Sequence, residues 1–319
     1  MAGKTKEIIN VGELVFGKAE TVVYKIIGNS KGPKVGLVGM THGTEYIGAK
    51  IIDRLYEEID PDKLKGSIVA IPIANPFATA GKNNNTPSGF GEPFSSISLN
   101  SQYPGNSEGN LSKQLAAIIF DNIKDVDYLI DIHSGTIIGK IYPQIRIKID
   151  NEIKEDVIKK SRDLAQYSGL EIIVETPSSS ISKDTKGILT TQAALYGIPA
   201  VTLELFGGDV TQEEVNFGLN TVYNVLKGIN CLEGRLERIN QNTYTKLTKI
   251  YSPQAGMIDF LKDLGKEIKK GEVYARVKDL ISRKTSELVS PEDGILGFRV
   301  SFGVLNKGDY IGEFLSNKA

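Results

Sequence analysis

Lys34-Val-Gly-Leu-Val-Gly39, then Met40-Thr-His-Gly-Thr-Glu45, then Tyr46-Ile-Gly-Ala-Lys-Ile-Ile-Asp-Arg-Leu55 read in succession as a buried strand, a sharp junction and a helix. The first piece is an apolar run too short for a helix and long enough for a strand buried on both faces. The last carries Ile51, Ile52, Leu55 and, further on, Ile59 at helical spacing, which makes one side of it apolar. Outward from this unit the texture repeats. Thr21-Val-Val-Tyr-Lys-Ile-Ile27 alternates like a strand, Ser67-Ile-Val-Ala-Ile-Pro-Ile-Ala74 is another buried one, and residues 126–132, 171–174 and 200–205 read as further strands. Residues 111–123 and 212–229 have the spacing of helices. Strands alternating with helices predict an α/β fold, a mixed sheet flanked by helices. Between 75 and 110 the chain turns to Gly, Asn, Ser and Pro with little periodicity, which predicts loops across the mouth of a site.

From about residue 240 the helix signals fade and a weak repeat takes over. Ser252-Pro-Gln-Ala-Gly-Met-Ile258 matches Ser290-Pro-Glu-Asp-Gly-Ile-Leu296, and each is followed by a Lys-Gly-acid turn, Lys270-Gly271-Glu272 and Lys307-Gly308-Asp309. Two such units predict a pseudo-twofold β-sandwich, which divides the chain into an α/β domain, 1–238, and a C-terminal β-sandwich, 239–319. The pattern resembles biotinyl and lipoyl carrier domains, but the hairpin-tip lysine that those domains modify has no counterpart here. A structural or oligomerisation role is expected, with a second copy of the chain as the partner of a homo-oligomer.

Composition removes several classes. With 38 basic and 39 acidic side chains the net charge is −1, and no basic run with interleaved aromatics occurs, so neither nucleic acid nor an anionic membrane is an expected partner. The N-terminal Met-Ala-Gly-Lys-Thr-Lys-Glu-Ile-Ile-Asn lacks the apolar core of a signal peptide, and no later run is apolar for the ~18 residues a span requires; a cytoplasmic protein is expected. Cys231 is the only cysteine, which excludes intrachain disulfides and thiolate metal clusters and leaves it a packing role. Any metal site must use His, Asp and Glu.

The chain has two histidines, and both stand at sheet edges, where α/β proteins keep their sites. His42 follows the strand ending at Gly39. Glu45 lies three residues on, at the start of the expected helix, where positions i and i+3 share a side. Taken alone, Glu45 is as well explained by the preference of acids for helix starts. His133 ends the strand 126–132, with Ser134-Gly135 as a sharp exit. Two imidazoles and a carboxylate form the donor set of a catalytic zinc with one position left open. Glu204, inside Ala200-Val-Thr-Leu-Glu-Leu205, is a carboxylate in an apolar strand, costly to bury without a cation nearby. Beside a metal it is suited to move a proton from water to a leaving nitrogen.

His42-Gly-Thr-Glu45, Asn75-Pro76, Leu99-Asn100, Tyr103-Pro-Gly105, Asp131-Ile-His133, Pro199-Ala-Val-Thr-Leu-Glu204 and Gly207-Gly208 occur in an order that resembles the succinylglutamate desuccinylase/aspartoacylase family, relatives of zinc carboxypeptidases. The resemblance implies a carboxypeptidase-like α/β domain. It further implies one zinc held by His42, Glu45 and His133, with Glu204 as general acid/base, Asn100 against a substrate carboxylate, and Asp131 as an outer partner of the ligands. Two family features are missing. The D-L-N-R motif reads Ser98-Leu99-Asn100-Ser101, and Asn83-Asn84-Asn85 stands where an arginine usually precedes the Thr-Pro matched by Thr86-Pro87. Those arginines clamp a carboxylate and stabilise the oxyanion, so either another group substitutes, with Lys82 and Arg146 the nearest candidates, or the substrate lacks the usual carboxylate.

The reaction implied is zinc-dependent hydrolysis of the amide bond of a small N-acyl amino acid or N-acyl amine, without a covalent intermediate. Two alternatives stand beside it: a zinc carboxypeptidase acting on short peptides, and a metal-binding protein that has lost hydrolase activity with its arginines. Cobalt or manganese would suit a similar N/O site.

Overall fold

Parallel central strands need apolar residues on both faces, and Val35, Leu37, Val38, Leu129, Ile130, Val201 and Leu203 are all fully buried. The computed structural model describes residues 2–15, 17–87, 96–177 and 186–319, so residues 88–95 of the irregular span lie outside the described residues. The first nine strands are β1 Gly3–Leu14, β2 Gly17–Ile27, β3 Ser30–Gly39, β4 Lys65–Ile71, β5 Tyr128–His133, β6 Gly139–Ile149, β7 Ile172–Pro177, β8 Ala200–Phe206 and β9 Asn242–Tyr251. They are followed by β10 Gly256–Phe260, β11 Glu267–Ile268, β12 Val273–Lys278, β13 Thr285–Val289, β14 Gly294–Val300, β15 Val304–Leu305 and β16 Tyr310–Lys318. The helices are α1 Ile47–Glu58, α2 Pro76–Ala80, α3 Leu111–Ile123, α4 Glu155–Tyr167, α5 Leu189–Leu195 and α6 Gln212–Gly228.

One sheet runs β1-β2-β4-β3-β5-β8-β6-β7-β9-β16-β14-β11. β4, β3, β5 and β8 form a parallel block that β2 and β6 join antiparallel, so the fold is the mixed α/β arrangement expected. Residues of α1, α4 and α6 such as Ile51, Leu164 and Val222 pack with Leu37, Ile130 and Leu203 on one face. Leu115 of α3 and Leu189 of α5 pack with Val38, Leu129 and Ala200 on the other. Strand periodicity puts Asp131 and His133 on the Leu129 face, and Thr202 and Glu204 on the Ala200 face, so all four point to the α3/α5 side. Side-chain caps hold the helix starts: Asn75, Asn110 and Thr211 each accept from a first-turn amide, worth about 1 kcal/mol apiece. Cys231 is buried and donates to the Pro33 carbonyl, and burial, then Asp127, pushes its thiol up to about 12, as suits a packing residue. No helix among the described residues is long and apolar enough to cross a membrane.

The last third of the chain continues the large sheet. β9 pairs with β7, and β14 pairs with both β16 and β6, which closes β6, β7, β9, β16 and β14 into a ring. β13-β12-β10-β15 make a second, four-stranded sheet, and its Ile258, Tyr274 and Val277 share a core with Ile250, Leu296 and Phe314 of the first. The repeat seen in the sequence is joined crosswise. Ser252 exchanges backbone hydrogen bonds with Gly308 and Asp309, and Ser290 does so with Gly271 and Glu272, so each Ser-Pro start is tied to the other unit's glycine turn.

Candidate active site

α1 begins at Ile47 with Tyr46 as its cap, so His42 and Glu45 do not lie in the first helical turn as expected. A turn brings them together instead, with the Glu45 amide donating to the His42 carbonyl at 3.1 Å. Gly43 lets this turn seat. A Cβ there would lie 2.2 Å from the Ala78 carbonyl carbon, and the Gly43 amide donates to the Asn84 carbonyl at 3.2 Å. Buried Asn75 donates to the Thr41 carbonyl at 3.3 Å and the Thr86 hydroxyl at 3.0 Å, and accepts from the Ala78 amide at 3.0 Å. The Asn75-Pro76 pair therefore fastens the ligand-bearing turn to the loop that follows.

β5 and β8 deliver the other half. His133 is the register partner of Glu204, so the two side chains leave the same sheet edge on the same face. The strand exits are pinned to each other: the Gly135 amide donates to the Phe206 carbonyl at 2.9 Å, and the Gly208 amide to the Thr136 carbonyl at 3.1 Å. Gly207, at φ 128°, permits the approach, since a Cβ there would lie 2.5 Å from the Gly135 carbonyl oxygen.

His42, Glu45 and His133 each offer a ligand atom within 4.8 Å of the others. Nδ1 of His42 lies 2.9 Å from Glu45 Oε1, and Nδ1 of His133 lies 2.9 Å from Oε2. The far nitrogens are held from behind, His42 Nε2 by Ser98 Oγ at 3.3 Å and His133 Nε2 by Asp131 Oδ2 at 2.9 Å. Outer partners of this kind orient imidazoles as metal ligands. Burial alone would push His133 toward neutrality, but Asp131 and Glu45 hold its pKa well above the usual value. Burial would likewise raise the Glu45 carboxyl, and the two histidines hold it far below the usual range. Such an arrangement stabilises a cation at its centre, and the N/N/O donor set fits a divalent metal such as zinc.

Glu204 shares a pocket of about 460 Å³ with His42 and Glu45 of this group. His42, Glu45, Asn84 and Ser134 line one part of it, and Ile141 and Arg146 of β6 line another. Lys249, Tyr251, Phe298, Tyr310 and Glu313 complete the wall, so the C-terminal segment, expected to be structural, is part of the site. Arg146 reaches Glu204 Oε1 at 3.4 Å and Glu313 Oε2 at 2.7 Å. Burial raises the Glu204 carboxyl above its ordinary value despite Arg146. Two residues along β6, half-buried Lys148 donates to the Thr176 hydroxyl at 3.2 Å; burial and then Arg146 lower its ammonium to about 8.

The model of the succinylglutamate desuccinylase/aspartoacylase catalytic domain matches residues 31–229. The chain belongs to this family. It is 23% identical to N-alpha-acetyl-L-2,4-diaminobutyric acid deacetylase of Halomonas elongata, over 97% of this chain and 89% of that one. The crystal structure of a succinylglutamate desuccinylase/aspartoacylase from Rhodobacter sphaeroides superposes with a TM-score of 0.85 at 21% identity, covering 99% of this chain and 97% of that one. The product-bound ectoine utilization protein EutE (DoeB) from Ruegeria pomeroyi superposes at 0.82 and 21% identity, covering 99% and 96%. These likenesses establish the fold.

The desuccinylase/aspartoacylase motif residues are not all brought to the pocket. Asn100 spends its side-chain carbonyl on the Leu189 amide at 3.0 Å, and it is not among the described residues lining the pocket. Ser101, at the family's arginine position, turns back to the Ser98 carbonyl at 2.8 Å. Lys82 stands exposed after α2 at φ 50° and is likewise absent from the described lining. Arg146 is in the pocket, with both terminal nitrogens on carboxylates. Ser98, Tyr310 and Glu313 escaped the sequence reading. Glu313 carried the same signal as Glu204, a carboxylate within a buried strand, Tyr310-Ile-Gly-Glu-Phe-Leu315.

Proposed function

We propose that this protein is a zinc-dependent hydrolase that cleaves the amide bond of a small N-acyl amino acid or N-acyl amine. The observation that carries the reading is the convergence of His42, Glu45 and His133 on one point, with two of them, His42 and Glu45, lining one pocket with Glu204. A zinc ion held by those three residues would supply a Lewis acid and lower the pKa of a water toward about 7. Glu204 takes a proton from the attacking water and hands it to the departing nitrogen; a carboxyl raised by burial is suited to keep that proton between the two events. Ser98 and Asp131 fix the rings from behind, so His42 and His133 present the same nitrogens throughout. A pocket of about 460 Å³ falls within the ~300–1,000 Å³ of small-molecule sites, which favours an acyl amino acid over a longer peptide. The name of the Halomonas elongata relative, a deacetylase of an N-acetylated diamino acid, points the same way. In this reading the α/β domain, 1–238, supplies ligands and base, and the C-terminal strands, 239–319, form a β-sandwich that walls the pocket.

A second reading, metal binding without hydrolysis, is favoured by the absence of arginine at positions 84 and 101. Metal analysis of the purified protein, with assays on N-acetyl and N-succinyl amino acids, N-acyl amines and dipeptides with and without zinc, separates the two. Zinc bound at one per chain and chelator-sensitive hydrolysis of N-acyl amino acids are expected. Glu204→Gln should keep the metal while kcat falls by on the order of a thousandfold. Bound metal with no amide cleaved supports the second reading, and a protein that takes up no metal sinks both.

A further inference from the structure

We propose that Arg146 and Glu313 are positioning residues: Glu313, on the last strand, holds Arg146 so that Arg146 touches one oxygen of Glu204 and leaves the other free to carry a proton. The proposal rests on the reading of Glu204 as the base. It begins from contact lengths. Arg146 is 2.7 Å from Glu313 and 3.4 Å from Glu204, so the short, charge-assisted bond goes to the residue outside the chemistry. Among the described residues Arg146 is the one ion-pair partner of Glu204, and all three side chains are at most 15% exposed. Nε of Arg146 is buried without a hydrogen-bond partner among the described residues, so the two carboxylates alone orient the guanidinium fork.

Charge counting separates this role from substrate clamping. Both terminal nitrogens of Arg146 are engaged by carboxylates, so Arg146 itself offers no spare cation to an incoming carboxylate. Arg146 therefore does not take over from the missing family arginines. If Glu313 lost its charge, nothing would keep the fork from closing on Glu204 as a bidentate pair, which occupies both oxygens. If Arg146 were lost, Glu204 and Glu313 would lose the one guanidinium that bridges them. Tyr310 stands in the pocket wall with Glu313, at the outer end of the chain of contacts.

Glu313→Gln, Arg146→Met and the double variant test this, assayed on the N-acetyl amino acid that the wild type cleaves fastest. Each single change should lower kcat about tenfold with KM within about twofold, since an interaction used only in the transition state moves kcat. The double variant should be no slower than the worse single one, because the residues act as one unit. A raised KM at unchanged kcat would make Arg146 a substrate clamp and overturn the proposal, as would losses that multiply in the double variant. Zinc content should stay at the wild-type value, the unfolding midpoint should fall in Arg146→Met, which removes the cation between two buried carboxylates, and Arg146→Lys, charged but unable to fork, replaces the Met variant if that one does not fold. A crystal structure of Glu313→Gln gives a readout independent of activity. Both terminal nitrogens of Arg146 on Glu204 support the proposal, and a single long contact as in the wild type overturns it. Should the wild type cleave none of the panel, the assigned reaction fails, while the crystal structure still decides the contact.

Discussion

The two sides of the pocket are held by different physics. His42, Glu45 and His133 are placed by a four-residue turn, by backbone hydrogen bonds between neighbouring strand exits, and by glycines that a Cβ would drive into backbone. Arg146, Glu204 and Glu313 come from β6, β8 and β16, and what joins them is the attraction of buried charges. The first side resists displacement and, in the proposed reading, would hold a cation at its centre. The second tolerates small shifts and depends on charge balance. Removing a cation should therefore be drastic on one side and graded on the other.

His133→Ala makes the largest break. It leaves Asp131 and Glu45 buried with no imidazole between them, and breaking a buried charge pair costs about 3–5 kcal/mol. Metal should be lost outright and hydrolysis with it, with a clear fall in the unfolding midpoint. Metal analysis and calorimetry check this, and a variant that binds metal as the wild type does would remove His133 from the proposed ligand set. Asp131→Asn is gentler, because the amide still reaches His133 Nε2 but without charge. Metal affinity should drop about 10–100-fold, the usual cost of altering an outer partner. A competition titration with a coloured chelator measures it, and an unchanged affinity would mean the turn alone orients the ring.

The same contrast governs what could be read from the sequence. β3, β5 and β8 are legible because strands buried on both faces appear as largely apolar runs, and each carries a residue of the site at, near or just beyond its end. The His42–Glu45 proximity was legible for an inexact reason, since a hydrogen-bonded turn, not the start of α1, brings them together. β6 was not recognised. Its Ile145, Ile147 and Ile149 alternate with Arg146 and Lys148, but Pro143 interrupts the run, and Arg146 faces a pocket rather than solvent. Nor does local pattern tell that Arg146 meets Glu313, 167 residues away; that contact exists only once the ring of strands closes. A charged residue inside a buried strand was nonetheless readable at Glu204 and equally at Glu313.

Lys148 gives the smallest effect and the sharpest check on charge balance. It stands beside Arg146, and burial holds its ammonium near 8 rather than 10.5. At pH 7 the folded protein thus carries a charge that its surroundings disfavour, and Lys148→Met should raise the unfolding midpoint by about 2–4 °C, the effect of roughly 1 kcal/mol in a domain of this size. The sign of the pH dependence follows from proton counts. Between pH 8 and 10.5 the unfolded chain holds more protons on this lysine than the folded one, so wild-type stability rises with pH relative to the Met variant. The contribution is fully present above 10.5 and lost as pH falls through 8. The gap between variant and wild type should therefore narrow from pH 8 to 10, where both midpoints are measured in one buffer series. A gap that is reversed at pH 7, with the wild type more stable, would mean that Glu204 and Glu313 attract a second cation more strongly than burial and Arg146 repel it. The far side of the pocket would then be short of positive charge rather than balanced, and Arg146 would not be the only cation on which Glu204 depends.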